Sequence, residues 1–122
     1  MICFYAKDIA KKNALLKLCR DLHQEVRLLS GQDADKTVGE LTGIKATAPA
    51  VRLPIPALYV LPEIIIFSGL SDRDLDTFLA AYRTAGIAPT PLKAVVTMYN
   101  CNWTLYALTE ELRKEDLEMH SS

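Results

Sequence analysis

Short runs of apolar residues alternate along the chain with longer segments in which apolar residues recur every three or four positions. The short runs predict strands at 2–6, 26–30, 64–67 and 92–97. The longer segments predict four helices. These helices lie at 9–24, around Val38 and Leu41, from Ser71 to Gly86, and through Leu105, Leu108 and Leu112. The elements therefore follow the order strand, helix, strand, helix, and this order occurs twice.

The clearest pattern covers 64–86. Residues 64–67 are continuously apolar, which is typical of a strand that is covered on both faces. Ser71 is a favourable helix cap, and acidic residues follow it in the first turn, where the helix dipole favours them. The apolar residues of this helix share one face, at Leu75, Phe78, Leu79 and Tyr82. This pattern indicates a helix packed against a sheet.

Residues 46–62 form a connection with a different composition, apolar but interrupted by Pro49, Pro54, Pro56 and Pro62. Repeated proline excludes a helix and favours extended backbone. Because the other side chains are mostly apolar, we expect this connection to pack against the domain. The alternative is an extra edge strand or a strip that binds a partner, with Pro54 and Tyr59 as candidate interface residues.

The two halves of the chain are similar in sequence. At an offset of 67 residues, 28–38 aligns with 95–105, and Thr37 matches Thr104. Before these segments the offset is 63 residues, and there Asp8 aligns with Ser71, which is also polar. A repeat of this kind predicts an internal duplication.

We therefore predict one α/β domain over 1–122, built from halves at about 1–45 and 62–118 that are joined by 46–62. Each half is a strand-helix-strand unit followed by a helix, so the fold class is a small four-stranded sheet with helices packed on it. A ferredoxin-like α+β arrangement is the alternative, because the sequence leaves the strand order open.

The charge balance limits the classes of partner. The 122 residues include 14 basic and 15 acidic side chains, for a net charge of −1. This value predicts no general attraction to nucleic acid or to an anionic membrane. The basic residues of the first helix, including Lys11, are mixed with acidic ones and predict a solvated face.

The compartment is predicted from the chain start and the cysteines. The first residues have the pattern of a strand rather than of a signal peptide, and no apolar run is long enough to cross a bilayer. Cys3, Cys19 and Cys101 show no Cys-x-x-Cys spacing. We therefore expect reduced thiols and a cytoplasmic protein.

Ligand sites of α/β proteins usually lie beyond the carboxyl ends of the strands. Ser68 and Gly69 occupy such a loop before a helix, where backbone N–H groups could bind an anion. The loop lacks the glycine-rich patterns of nucleotide sites, and the acidic residues after it would repel phosphate. Ordinary helix capping is the favoured interpretation.

The loop after the last predicted strand holds the most distinctive polar cluster. Capping of the last helix by Asn100 or Asn102 explains part of it. Trp103, the only tryptophan, either covers an edge of the core or anchors a partner surface. The candidate ligand-binding residues are Ser68, Gly69, Thr97, Asn100, Asn102 and Thr104.

We predict no catalytic residues, no metal site and no cofactor. Asp33 and Asp35 are two residues apart, but nothing nearby completes a coordination shell, so capping is favoured. His23 and His120 are not placed as metal ligands or triad partners. Cys101 has no histidine close in sequence to act as its base.

Four stretches resemble a bacterial family known only as domain of unknown function 3783. They are Pro-Glu-Ile-Ile-Ile-Phe-Ser-Gly-Leu at 62–70, Ala-Gly-Ile at 85–87, Pro-Leu-Lys-Ala-Val-Val-Thr at 91–97 and Asn-Trp-Thr-Leu at 102–105. The resemblance covers about 62–115. It implies a small bacterial α/β protein and no activity, because none is established for the family.

These observations favour a non-catalytic interaction or regulatory module. It would form a homodimer, or bind another protein, through the proline-rich connection and Trp103. The alternative is a domain that binds or senses a small metabolite at the strand-to-helix loops. An enzyme that uses Cys101 or an acidic residue of a loop is the third hypothesis.

Overall fold

A computed structural model describes the backbone of residues 1–121 and the side chains of residues 1–116. Within these residues four strands form one sheet: β1 (Ile2–Tyr5), β2 (Val26–Leu28), β3 (Ile64–Phe67) and β4 (Leu92–Val95). The α-helices are α1 (Ile9–Asp21), α2 (Val38–Thr42), α3 (Asp72–Thr84) and α4 (Leu105–Ser121). Short 3-10 turns at Gly31–Asp33 and Asn100–Asn102 precede α2 and α4.

The sheet is mixed, with the strand order β2-β1-β3-β4. β1 pairs in parallel with β2, and β3 pairs in parallel with β4. The two central strands are antiparallel, with Ile2 opposite Phe67 and Tyr5 opposite Ile64. Each strand-helix-strand unit thus returns to the strand beside its own start. The predicted α/β class is confirmed, whereas the ferredoxin-like alternative is wrong, because no strand is inserted between the two strands of a unit.

Helices cover both faces of the sheet, and this explains why the central strands are apolar throughout. Ile2, Phe4, Ile65 and Phe67 point toward the core formed with α1 and α3. Alternate residues of the same strands, Cys3, Ile64 and Ile66, point toward the core formed with α2 and α4. A fully buried side chain of this size contributes about 1.5–3 kcal/mol through the hydrophobic effect.

Polar caps fix where the helices begin. The side chains of Asp8, Thr37 and Ser71 accept hydrogen bonds from backbone N–H groups in the first turns of α1, α2 and α3. α1 ends at Asp21, earlier than predicted, because His23 adopts a left-handed conformation (φ 55°) that turns the chain toward β2. His23 is exposed, and its role in the fold is to form this turn.

The connection between α2 and β3 is more exposed than expected. Leu61 is buried, and the ring of Tyr59 packs edge-on against Tyr106 with centroids 4.7 Å apart. Most of the other apolar side chains remain exposed, and Leu58 is 93% exposed. The prediction of a packed connection is therefore wrong for most of its length. With helices on both faces of the sheet, little apolar surface is left for the connection to cover.

α2 approaches the 3-10 turn before α4 so closely that only glycine fits at position 39. A Cβ atom on Gly39 would lie 2.7 Å from the carbonyl oxygen of Ile44 and 2.9 Å from that of Cys101. Both oxygens belong to the backbone, so relief of the overlap requires movement of two segments.

We predict that Gly39→Ala lowers the free energy of unfolding by about 2 kcal/mol, because the steric overlap outweighs the helix propensity of alanine. Urea denaturation measures the change. Gly31→Ala is the matched control, since nothing lies within 4 Å of its Cβ position. Equal stability of the two variants would contradict the close approach.

Candidate functional site

The antiparallel centre of the sheet divides the candidate loops between two opposite edges. β1 and β2 end at one edge, where the chain continues through Lys7-Asp8 and through 32–36. β3 and β4 end at the other edge, which carries 68–71 and 97–102. The candidate ligand residues all follow β3 or β4, so they belong to the second edge.

Ser68 and Gly69 close the pair of central strands. The backbone N–H of Ser68 donates to the carbonyl oxygen of Met1 (2.9 Å), and the amino group of Met1 donates to the carbonyl oxygen of Ser68 (2.8 Å). Gly69 then turns the chain in a left-handed conformation (φ 72°). The polar backbone of Ser68 is thus used within the fold, and the side chain of Ser71 caps α3.

Thr97 and Asn100 form a reciprocal turn directly after β4. The N–H of Thr97 donates to Asn100 Oδ1 (2.8 Å), and the N–H of Asn100 donates to Thr97 Oγ1 (3.1 Å). Asn100 Nδ2 also donates to the carbonyl oxygen of Val95 (3.0 Å). These bonds end β4 two residues before the predicted position and hold the loop in one conformation.

Asn102 attaches the connection to this loop. Its buried Oδ1 accepts hydrogen bonds from the N–H groups of Thr47 (2.9 Å) and Ala48 (3.2 Å), and its Nδ2 donates to Thr47 Oγ1 (2.8 Å). The predicted cap of α4 by Asn100 or Asn102 is therefore wrong. Thr104, immediately before the helix, is the residue whose Oγ1 accepts the N–H of Ala107 (3.2 Å).

A cavity of about 320 Å³ lies between β4 and α4. The structure brings three of the predicted residues to it, Thr97, Asn100 and Trp103. Ser68, Gly69, Asn102 and Thr104 do not line it. Trp103 is half-buried and packs against the core formed with α4, as expected for an edge of the core.

Three further residues line the same cavity and were missed from the sequence: Tyr99, Glu111 and Glu115. A signal for the glutamates is present, since both fall on the helical face of Leu108 and Leu112. Glu115 stands where that apolar face would continue. An acidic residue at such a position indicates that the face opens to solvent there.

The two interface candidates of the connection lie in different environments. Pro54 is exposed. Tyr59 is half-buried, and its hydroxyl lies 2.7 Å from Thr109 Oγ1. Tyr59 therefore anchors the connection to α4 more than it offers a free surface.

A partly buried ion pair at the first edge was also missed. Lys11 Nζ lies 3.0 Å from Glu63 Oε1 and 3.1 Å from the carbonyl oxygen of Pro89, and Lys11 is 9% exposed. Glu63 Oε2 accepts the N–H of Lys7 (2.9 Å). Burial alone would raise the pKa of Glu63, but these donors outweigh it and hold the pKa below its usual value. For Lys11 the prediction of a solvated face is wrong.

The remaining candidate acids and thiols have structural contacts. Asp33 accepts hydrogen bonds from Lys36 Nζ (2.9 Å) and from the N–H of Ser30 (2.9 Å), which confirms its capping role. Cys101 is buried, and its Sγ lies 3.5 Å from the carbonyl oxygen of Met98. Burial raises the pKa of Cys3 and of Cys19 to about 11, so both thiols are protonated near neutral pH.

Metal ligands do not cluster in the part of the chain that the structure describes, where no group of three or more His, Cys, Asp or Glu side chains could hold an ion. His120 lies outside the residues whose side chains are described. Over the same residues, no helix combines the length and the apolar character needed to cross a membrane.

We predict that Glu63→Gln lowers the free energy of unfolding by about 2 kcal/mol at neutral pH, because the ion pair with Lys11 is lost. The pKa of Glu63 is lowered in the folded state, so its stabilisation is present above the pKa of the unfolded chain. It disappears as the pH falls through the folded pKa. The difference between wild type and variant should therefore shrink in acid.

Urea denaturation between neutral pH and about pH 2 measures this difference. Glu110→Gln is the matched control, because Glu110 forms an exposed pair with Arg113 (3.7 Å) that contributes little at any pH. A Glu63→Gln difference that stays constant into acid would contradict the assigned role of the ion pair.

Comparison with curated proteins and with solved structures gave no match in either case. A comparison with protein families matched residues 63–119, which extend from the start of β3 into α4. The second half of the chain, including the cavity and Trp103, is thus similar to the family described as Domain of unknown function (DUF3783), as its sequence predicted.

Proposed function

We propose that this protein is a non-catalytic interaction module that pairs with a second copy of itself through the proline-rich strip, defined here as residues 53–60. The observation that carries the proposal is the exposure of its apolar side chains. Leu53 is 46% exposed, Ile55 38%, Leu58 93% and Val60 64%. Several exposed apolar side chains in one short segment are typical of an association site.

The strip is uncharged. Residues 53–62 contain no charged side chain. The carboxylate of Glu63, which follows, is already paired with Lys11. A charged group of a partner that covered 53–60 would therefore lose water without gaining a counter-charge from the strip.

A second copy of the strip supplies the neutral, apolar surface that fits this chemistry. In a two-fold dimer the same patch of each subunit faces its equivalent, and the assembly closes at two copies. Pro54 lies within the strip and would contact the partner.

Both ends of the strip are held in place. Upstream, the N–H of Val51 donates to the carbonyl oxygen of Asn102 (2.9 Å), and the carbonyl oxygen of Val51 accepts the N–H of Thr104 (3.0 Å). Downstream, Tyr59 is bonded to Thr109. Prolines limit the conformations between these anchors. A segment that is already ordered loses less entropy when it binds, which favours association.

We predict that Leu58→Asp converts a dimer into a monomer, because it places a charge where an apolar side chain would be buried. Loss of one buried leucine corresponds to about 1.5–3 kcal/mol, or at least a tenfold rise in the dissociation constant. Sedimentation equilibrium of the full-length protein over a range of concentrations measures it.

The matched control is Ile9→Asp, which alters a side chain 72% exposed on α1 and outside the strip. This variant should dimerise like the wild type. A wild-type protein that stays monomeric at every concentration, or an equal effect of both substitutions, would refute the proposal.

The cavity between β4 and α4 favours a second candidate function, the binding of a small ligand at the strand-to-helix loops. Thr97 and Asn100, both predicted to bind a ligand, lie in its wall beside Trp103. Their reciprocal turn gives the wall a fixed shape.

We further propose that the protein is bacterial and cytoplasmic and that its halves arose by duplication. Three free cysteines support a reducing compartment. The resemblance of the second half supports a bacterial source. For the duplication, the support is the placement of Thr37 and Thr104, which precede α2 and α4 and pair with each other in an antiparallel bridge.

A further inference from the structure

The lining of the cavity between β4 and α4 combines aromatic and aliphatic side chains. The aromatic ones belong to Trp103 and Tyr99. Ala94, Leu108 and Leu112 are among the aliphatic ones. Its volume of about 320 Å³ suits a small molecule or one long side chain of another protein.

Two carboxylates give this cavity its charge. Glu111 and Glu115 are one helical turn apart on α4, a spacing at which like charges repel and weaken a helix. Among the described residues neither carboxylate has an ion pair or a side-chain hydrogen bond, and no basic side chain lines the cavity. The lining thus carries a formal charge of −2 on a chain whose net charge is −1.

We infer that this cavity binds an organic cation, an alkylammonium or guanidinium group, between the aromatic side chains and the two glutamates. The negative face of an indole or phenol ring attracts such a cation, and the carboxylates neutralise it. A neutral ligand would gain nothing from the two carboxylates, and an anion would be repelled. A hard metal ion needs more oxygen ligands than two glutamates provide.

This inference rests on the second candidate function and names its ligand class. The cation could be a free small molecule or the side chain of a lysine or arginine on a partner protein. The chemistry of recognition is the same for both, and the choice of probe separates them.

Trp103 provides a direct readout because it is the only tryptophan. We predict that n-butylammonium and n-butylguanidinium chloride change its fluorescence saturably, with dissociation constants of about 1 mM, as expected for ligands of so few atoms. Sodium chloride at equal ionic strength and n-butanol should give no saturable change. Isothermal titration calorimetry provides an independent measurement.

The double variant Glu111→Gln/Glu115→Gln keeps the shape of the cavity and removes its charge. It should weaken binding of both cations by about tenfold, since each carboxylate contributes a factor of roughly two to five. Glu110→Gln is the matched control, because Glu110 lies on the same helix but pairs with Arg113. The Glu110→Gln variant should bind both cations with the affinity of the wild type.

Nα-acetyl-lysine amide and Nα-acetyl-arginine amide distinguish the two sources. Tighter binding than the butyl probes supports a protein side chain as the ligand, and weaker binding supports a free small cation. If n-butanol binds as well as n-butylammonium, the cavity binds ligands but not through charge, which overturns this inference and leaves the second candidate function in place. If no probe binds, both are overturned.

Discussion

The antiparallel pairing of β1 with β3 is the interaction on which the rest of the structure depends. It joins two parallel strand-helix-strand units into one sheet, and the hydrogen bonds between Met1 and Ser68 extend it by one more residue pair. A second contact joins the units on the face of α2 and α4, where the N–H of Val38 donates to the carbonyl oxygen of Trp103 (2.8 Å). Because β1 and β3 run in opposite directions, the loops that follow β1 and β2 lie at one edge of the sheet and the loops that follow β3 and β4 lie at the other.

This arrangement also determines which surfaces remain for function. α1 and α3 cover one face of the sheet and α2 and α4 the other, and most of the connection from α2 to β3 lies outside both cores. It is held there by Val51, Asn102 and Tyr59 and exposes its apolar side chains. The cavity lies where β4 ends and α4 continues. β4 ends at Val95, whereas α4 extends beyond Leu112, the last apolar residue in the lining of the cavity.

Local features of the fold could be predicted from the sequence, and long-range contacts could not. The apolar run at 64–67 and the cap at Ser71 depend on neighbours within a few residues, so periodicity and capping chemistry identified them. Strand order depends on pairing between distant segments, which periodicity does not encode. The same reason applies to Lys11, whose carboxylate partner is Glu63, and to Asn102, whose partner is Thr47. Thr97, Asn100 and Trp103 of the candidate site could be predicted because they are close together in the sequence. Glu111 and Glu115 could not, because they belong to the following helix and reach the cavity only through the packing of α4 on β4.

The central functional claim is that the proline-rich strip faces its own copy. It is tested most directly by isotope-filtered nuclear Overhauser spectroscopy on an equimolar mixture of ¹³C-labelled and unlabelled protein. This experiment detects only contacts between different molecules. We expect intermolecular effects among the methyl groups of Leu53, Leu58 and Val60, which are all exposed within one copy. Absence of such effects at high protein concentration, or effects confined to another surface such as that of Val95 and Met98, would contradict it.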